Sequence, residues 1–155
     1  MDKKPANPAK EFLRSYRAIL HRQNSLIRAL ANLRDRQTDV SVKINPDRVK
    51  AGGYNDKMAE TAAAALELED QIVEAERRAA FALSEILRAI EDVPDETLRA
   101  VLTLRYVEGL GWRYVAERMH YEQANIFILH GRALLAVNKW MEARDEGRNS
   151  LFAGS

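Results

Sequence analysis

Residues 104–134, with the sequence LRYVEGLGWRYVAERMHYEQANIFILHGRAL, show the pattern of two short helices separated by a tight turn. The Gly-Leu-Gly run at 109–111 ends an apolar helix, because glycine frees the backbone where a helix must stop. The pattern predicts a helix of about two turns over 112–119, a turn at 120–121 and a second helix over 122–134. Two short helices joined in this way are typical of a helix-turn-helix, whose second helix reads the major groove of DNA.

The apolar spacing of this stretch predicts the core of a small three-helix head. Ala116 is expected where the two helices cross most closely, a position that requires a small residue. Trp112 is expected to pack on the domain rather than on a base. A joint at Pro94, flanked by acidic residues, predicts the start of the helix that leads into the head. The predicted inward positions are Leu104, Tyr106, Leu110, Val115, Ala116, Met119, Ile126, Leu129, Ala133 and Leu134.

The chain before this head carries two long amphipathic patterns. From Pro8 onward, residues recur at alternating steps of four and three, which predicts a helix with a coiled-coil-like seam. A second, alanine-rich seam runs from Met58 to Val93, and a loop is expected at about 38–55. Long helices with narrow apolar stripes are rarely stable alone, so they should pair as a hairpin, with a second subunit, or both. The first seam consists of Phe12, Tyr16, Ile19, Gln23, Leu26, Leu30 and Leu33.

These patterns predict an all-α protein in which a long helical hairpin precedes a small helix-turn-helix head. The expected divisions are a hairpin and oligomerisation region over 1–93, the head over 94–142 and a flexible tail over 143–155. The composition agrees with this class, since Ala, Leu, Glu and Arg dominate the 155 residues and Gly and Pro are few.

The net charge of +1 conceals a strong segregation along the chain. Residues 1–54 contain 12 Lys and Arg against 5 Asp and Glu, a net charge of +7. Residues 55–93 contain 4 against 10, a net charge of −6, and residues 94–155 are balanced at 8 against 8. Such a pattern indicates that the basic first helix pairs with the acidic second one, within or between subunits. Contact of the basic segment with nucleic acid is the alternative.

Several classes of function are not expected from this composition. The chain has no cysteine, so disulfides and thiolate metal sites are excluded and a reducing cytoplasm is the expected setting. We expect no membrane-spanning helix and no signal peptide. The three histidines lack metal-ligand spacing, and His130 is interpreted as structural. No phosphate loop, nucleophile elbow or acid–base pair is present, so we expect no enzyme activity, no metal and no cofactor.

The run LRYVEGLGWRYVAERMHY, followed by LHGRAL, is similar to the region 4 helix-turn-helix of bacterial sigma factors. It resembles more closely the ArpU/RinA-type phage late-gene regulators, which carry such a module behind a helical N-terminal half. The match is best over residues 102–134, and the layout of the whole chain also fits. The resemblance implies double-stranded DNA as a partner, with RNA polymerase as a further one, in the cytoplasm of a bacterial host.

The resemblance also implies which residues contact DNA. Two departures from the family pattern are Gly111 and Glu122, which stand at helix caps where Ser or Thr is usual. The implied base-facing residues are Gln123, Ala124, Phe127, Ile128 and Gly131. Base readout requires hydrogen-bonding side chains, which Gln123 offers, with Asn125 as a further candidate DNA contact. The candidate phosphate contacts are Arg113, Arg118, Arg132 and Lys139, with Arg99 and Arg105 as auxiliaries.

Three hypotheses of function follow from the sequence. The first is a phage or prophage DNA-binding regulator of late genes, assembled as a homo-oligomer through its hairpin. The second is a small-terminase-like DNA packaging factor, which has a similar arrangement of parts. The third is a protein-interaction module that has lost base readout and binds a partner through Phe127 and Ile128, since exposed apolar residues suit a protein surface.

Overall fold

The structure is a computed structural model that describes residues 6–42 and 53–154. All the secondary-structure elements of the described residues are helices, and none is a strand, so the predicted all-α class is confirmed. The helices are α1 (Pro8–Val42), α2 (Gly53–Glu91), α3 (Glu96–Leu102), α4 (Trp112–Met119) and α5 (Gln123–Ala153). A π turn, Thr103–Val107, follows α3 directly.

The chain divides into two compact units. We call Ile19–Ala79 the hairpin unit, and Met1–Ala18 together with Ala80–Ser155 the head unit. The head unit therefore contains the start of α1 and the end of α2, as well as everything that follows them. The base of the predicted hairpin and the predicted head share one core, on both sides of the boundary expected at Val93 and Pro94.

In the hairpin unit the seams face each other as the apolar spacing predicts. Ala29 of α1 lines one cavity with Gln71 of α2, and Gln37, further along α1, lines another with Met58, so the two segments run antiparallel. Leu30 and Ala75 are buried, whereas Met58, at the start of the second seam, is exposed. An ion pair joins Arg34 of the basic helix to Glu69 of the acidic one. Both side chains are largely exposed, so this pair contributes little to stability.

The head unit begins with a helix that is capped from two sides. The Asn7 side-chain oxygen accepts hydrogen bonds from the backbone N–H of Ala9 (3.1 Å) and Lys10 (3.3 Å), as a helix N-cap does. The side chain of Asn138 in α5 accepts a second bond from Ala9 at 3.1 Å. Pro8 occupies the first turn, where its missing N–H costs nothing.

The core of the head unit consists of two apolar clusters. The larger one unites the ends of the hairpin helices with α3, the π turn and α5: Ala9, Leu13, Ile86, Ala89, Ile90, Val93, Leu98, Leu102, Tyr106, Ala133, Leu134 and Val137. The smaller one lies under the helix-turn-helix and consists of Val101, Val115, Ala116 and Ile126, with Leu104, Leu110, Trp112, Met119 and Leu129 packed against it. All ten predicted inward positions are therefore buried or partly buried in these clusters, and Trp112 packs on the domain as expected.

Three predicted boundaries differ from the structure. α1 continues to Val42 and α2 begins at Gly53, so both helices extend into the loop expected at 38–55. The segment up to Val42 contains no Gly or Pro that would end the helix, and residues 43–52 lie outside the described part. α3 begins at Glu96 rather than in a turn containing Pro94, since Asp95 is its N-cap and accepts bonds from Thr97 (2.8 Å) and Leu98 (3.2 Å).

The third difference is the C-terminal segment. α5 does not end near Leu134 but continues to Ala153, where a flexible tail is the expectation. Side chains far away in sequence hold its middle part. Trp140 stacks on Phe12 with ring centroids 5.8 Å apart, and Arg144 pairs with the buried carboxylate of Glu85. A buried carboxylate needs such a partner, which fixes α5 well beyond its first turns.

Candidate nucleic-acid interface

The turn between α4 and α5 has the geometry of a Schellman motif, which ends a helix with a left-handed residue. His120 adopts φ 59° and ψ 40°, and its backbone N–H donates to the Glu117 carbonyl at 3.3 Å. The Tyr121 N–H donates to the Ala116 carbonyl at 3.0 Å. These two bonds satisfy the end of α4 and set the direction in which α5 leaves, with Glu122 in extended geometry as its N-cap.

This turn gives a first testable prediction, because a side chain at φ 59° is strained. We expect His120→Val to lower the free energy of unfolding by about 1–2 kcal/mol, since a β-branched residue is poorly accommodated in the left-handed region. The matched variant His120→Gly should be at least as stable as the parent, because glycine adopts this conformation freely. Urea unfolding of the three proteins measures the difference, and equal stability of the Val and Gly variants would contradict it.

The first turns of α5 have one buried and one exposed face. Ile126 is fully buried and His130 is 9% exposed, and both point into the head. Phe127 is 48% exposed and Ile128 is 57% exposed. All eight residues proposed from the sequence as DNA contacts are exposed, as a contact role requires: Arg113, Arg118, Gln123, Ala124, Asn125, Phe127, Ile128 and Arg132. Gly131 and Lys139 are exposed as well.

The exposed ring of Phe127 is held in place from below by Trp112. The two rings meet edge to face with centroids 5.5 Å apart, a favourable arrangement for aromatic pairs. Trp112 also meets the His130 ring at 4.5 Å, and the Arg105 guanidinium lies over it at 4.5 Å. Phe127 is therefore an exposed but supported apolar side chain, which loses little conformational freedom when a partner covers it.

The arginines around this face differ in their contacts with the rest of the protein. Arg113 forms an exposed ion pair with Glu117 at 3.4 Å, whereas no ion pair within the described residues engages Arg118 or Arg132. The auxiliary candidates have structural roles. Arg99 donates to the Val93 carbonyl at 2.6 Å, and Arg105 donates to the Leu110 carbonyl at 2.9 Å.

The N-termini of α4 and α5 carry no side-chain cap. Gly111 and Glu122 stand in extended geometry at these positions, and neither helix has a side-chain hydrogen bond at its N-cap. The departures from the family pattern thus have the expected consequence. The first N–H groups of a helix bind phosphate oxygens well, and these two sets lack an alternative acceptor from a cap side chain.

Two exposed tyrosines lie beside these residues and are absent from the sequence-derived site. Tyr114 is 62% exposed on α4, and Tyr121 is 44% exposed in the turn. A phenol can donate a hydrogen bond to a phosphate oxygen, so both belong to the candidate interface. The inward positions Val115, Ala116 and Met119 leave Tyr114 on the outer face, and this spacing is the signal that identifies it.

Beneath the interface lies a buried polar pair. Tyr106 Oη and His130 Nε2 are 2.6 Å apart, and each ring satisfies the other inside the core, so the structural role predicted for His130 is confirmed. Burial, together with the nearby positive charges of Lys10, Arg105 and Arg14, lowers the pKa of His130 to about 4. Burial also raises the pKa of the Tyr106 phenol. The pair is therefore neutral at pH 7.

Within the described residues, no group of three or more His, Cys, Asp or Glu side chains is arranged to hold a metal ion. In the same part of the chain, no helix is both long and apolar enough to span a membrane. Comparisons with protein-family models, with curated proteins and with solved structures find no match to this chain.

Proposed function

We propose that the protein is a DNA-binding transcriptional regulator that contacts the double helix through α4, the turn at His120 and the first turns of α5. The observation that carries the proposal is the helix-turn-helix geometry, with an exposed outer face on α5 above a packed core. Gln123 and Asn125 supply the hydrogen-bonding groups that base readout needs. The uncapped N-termini of α4 and α5 supply N–H groups for the phosphate backbone.

The resemblance to sigma-factor region 4 and to the ArpU/RinA-type regulators supplies the biological setting of the proposal. In that setting the chain acts in a bacterial host cell on phage or prophage late genes, beside RNA polymerase. We further propose a homo-oligomer joined through the hairpin unit. Leu66 is 62% exposed and Val73 is 65% exposed, one heptad apart on α2, and an exposed apolar stripe of this spacing suits a second helix.

Binding to the upstream DNA of its own genome tests the proposal directly. We expect a salt-sensitive complex in an electrophoretic mobility shift, weakened about tenfold or more when Gln123→Ala and Arg132→Ala are combined, since a base contact and a phosphate contact are lost. Arg78→Ala is the matched control, because Arg78 is exposed on the acidic helix α2. Absence of salt-dependent binding to every such fragment would overturn the proposal.

The mass of the assembly separates regulation from DNA packaging. A dimer or tetramer in analytical ultracentrifugation agrees with a regulator. A ring of about eight or more subunits would favour the small-terminase-like function instead, since such factors mark viral DNA for packaging as rings.

The exposure of Phe127 and Ile128 favours a protein-interaction function as the second candidate. Two adjacent large apolar side chains, one of them supported by Trp112, form a surface that a protein partner can cover. Changing both to Arg should abolish partner binding in that case, because the apolar contact is replaced by charge. Stronger DNA binding with unchanged partner binding would exclude this function.

A further inference from the structure

We propose that a cavity in the head unit, away from the recognition residues of α5, binds a phosphate group. The cavity has a volume of about 200 Å³ and is lined by Arg14 and Arg17 of α1, Arg105 and Tyr106 of the π turn, and Gly109. Liquid water takes about 30 Å³ per molecule, so a tetrahedral oxyanion fits in place of several waters. The inference goes beyond the proposed function and does not depend on it, because a free phosphate can occupy the site.

Three arginines line this small volume, and no Asp or Glu is among the residues that line it. Within the described residues, none of Arg14, Arg17 and Arg105 forms an ion pair. Like charges around one cavity repel each other, and an anion between them removes the repulsion. Elsewhere in the described part of the chain, arginines do pair with glutamates: Arg34, Arg77, Arg88, Arg113 and Arg144.

The charge of the cavity also acts on its buried neighbours. Tyr106, which lines the cavity, is hydrogen-bonded to His130. Burial is the main cause of the low pKa of His130, and the positive charges of Lys10, Arg105 and Arg14 add to it. The same charges of Arg14 and Arg105 favour ionisation of the Tyr106 phenol. The positive charges of Arg14 and Arg105 therefore also act on the buried Tyr106–His130 pair beside the cavity.

Glycine at position 109 makes room for one of the three arginines. Gly109 has φ 76°, and a side-chain carbon built there would overlap the Arg17 guanidinium. The contact brings a residue of α1 against the loop that leads into α4. A left-handed glycine is also the residue that this backbone conformation requires. Gly109 thus permits both the left-handed backbone conformation of the loop and the close approach of the Arg17 guanidinium.

Arginine chemistry suits a phosphate group as the occupant. The planar fork of a guanidinium matches a pair of phosphate oxygens, and its positive charge is permanent. Arg105 donates one hydrogen bond to the Leu110 carbonyl, and its guanidinium lies over the Trp112 ring, so Arg14 and Arg17 are the main candidate donors. At neutral pH a free phosphate carries between one and two negative charges and has at least three acceptor oxygens, whereas a DNA phosphodiester presents one charge and two free oxygens. Both sources share the chemistry that this cavity recognises.

An NMR titration of the full chain with inorganic phosphate, at an ionic strength held constant with chloride, tests the site. The amide signal of Gly109 and the side-chain signals of the arginines report occupancy. A parallel measurement follows the salt dependence of binding to a DNA duplex. The test variant is Arg14→Gln with Arg17→Gln. The control is Arg22→Gln with Arg28→Gln, which removes two exposed arginines of α1 in the hairpin unit.

Saturable binding of phosphate that weakens at least tenfold in the test variant, but not in the control, supports the site with free phosphate as its ligand. A loss of about 0.9 in the slope of log affinity against log salt, in the test variant only, supports it with a DNA phosphate as its ligand. Phosphate binding without any DNA binding would refute the proposed function and leave the site standing. If the test variant alters neither measurement, the inference is wrong. Should the double change disturb folding by circular dichroism, the exposed Arg17→Gln alone replaces it in both arms.

Discussion

Replacing Ile126 by alanine is expected to lower the free energy of unfolding by about 2–5 kcal/mol, because the residue is fully buried in the cluster under the helix-turn-helix. The same substitution at Ile128 is expected to change it by no more than about 0.5 kcal/mol, since surface substitutions have small effects. Ile128 is 57% exposed and lies two residues further along the same helix. The pair therefore differs only in burial.

Chemical unfolding of both variants measures the difference in the free energy of unfolding. Binding assays then test whether each variant still binds DNA or a partner. Ile128→Ala should weaken DNA or partner binding while the head remains folded, whereas Ile126→Ala should act on binding only through stability. Similar losses of stability in the two variants would show that α5 is not oriented in solution with Ile126 inward. That result would also remove the basis for treating Phe127 and Ile128 as an outer face.

Acidification is expected to destabilise the protein by about 3 kcal/mol between pH 6.5 and pH 4 through His130 alone. The folded protein holds this ring neutral down to a pKa of about 4, whereas the unfolded chain protonates it at its ordinary pKa of 6.5. Between these values the unfolded state binds more protons, so stability falls as the pH falls. Below pH 4 both states are protonated, and this contribution becomes constant.

The difference between the parent and His130→Gln isolates this contribution from that of the carboxylates. Urea unfolding at pH 7 and at pH 4.5 should show a smaller acid loss in the variant, by about 2–3 kcal/mol. His21→Gln is the matched control, because His21 is exposed, and it should retain the acid loss of the parent. An unchanged acid loss in His130→Gln would mean that the ring titrates normally and that the pair with Tyr106 is open to solvent.

Local periodicity was sufficient to predict the bounds and buried faces of those helices whose apolar residues recur at regular spacing. α4 has the predicted bounds, Trp112 to Met119, because its inward residues and its two flanking breaks are all adjacent in sequence. The seam of α1 is buried or half-buried from Phe12 to Leu33 for the same reason. The outward face of α5 follows from its inward face, since a helix that buries Ile126 and His130 must expose Phe127 and Ile128.

The features that periodicity missed depend on contacts between distant parts of the chain. The helical C-terminal segment is held by Phe12 and Glu85, which no local pattern connects to Trp140 and Arg144.

The π turn at Thr103–Val107 is a local feature that periodicity also misses. Its hydrogen bonds are shifted by one residue relative to an α-helix, but its apolar residues keep the spacing of a helix.

The arginine cavity joins α1 to a segment about ninety residues later, so no local pattern indicates it. Exposure of the α5 face is equally compatible with DNA and with a protein. The identity of the partner therefore comes from the resemblance and not from the pattern of burial.

α5 is one continuous helix that carries both the proposed DNA contacts and the residues that hold its middle part in the head unit. No break separates Phe127 from Trp140, and at 1.5 Å per residue the two lie about 20 Å apart along one rigid axis. The far arm is fixed by Phe12 and Glu85, which belong to the ends of the hairpin helices within the head unit. The proposed DNA contacts Gln123 and Phe127 thus lie on the same continuous helix as the residues that Phe12 and Glu85 hold. A change at Phe12 or Glu85 is therefore expected to alter the orientation of that end of α5.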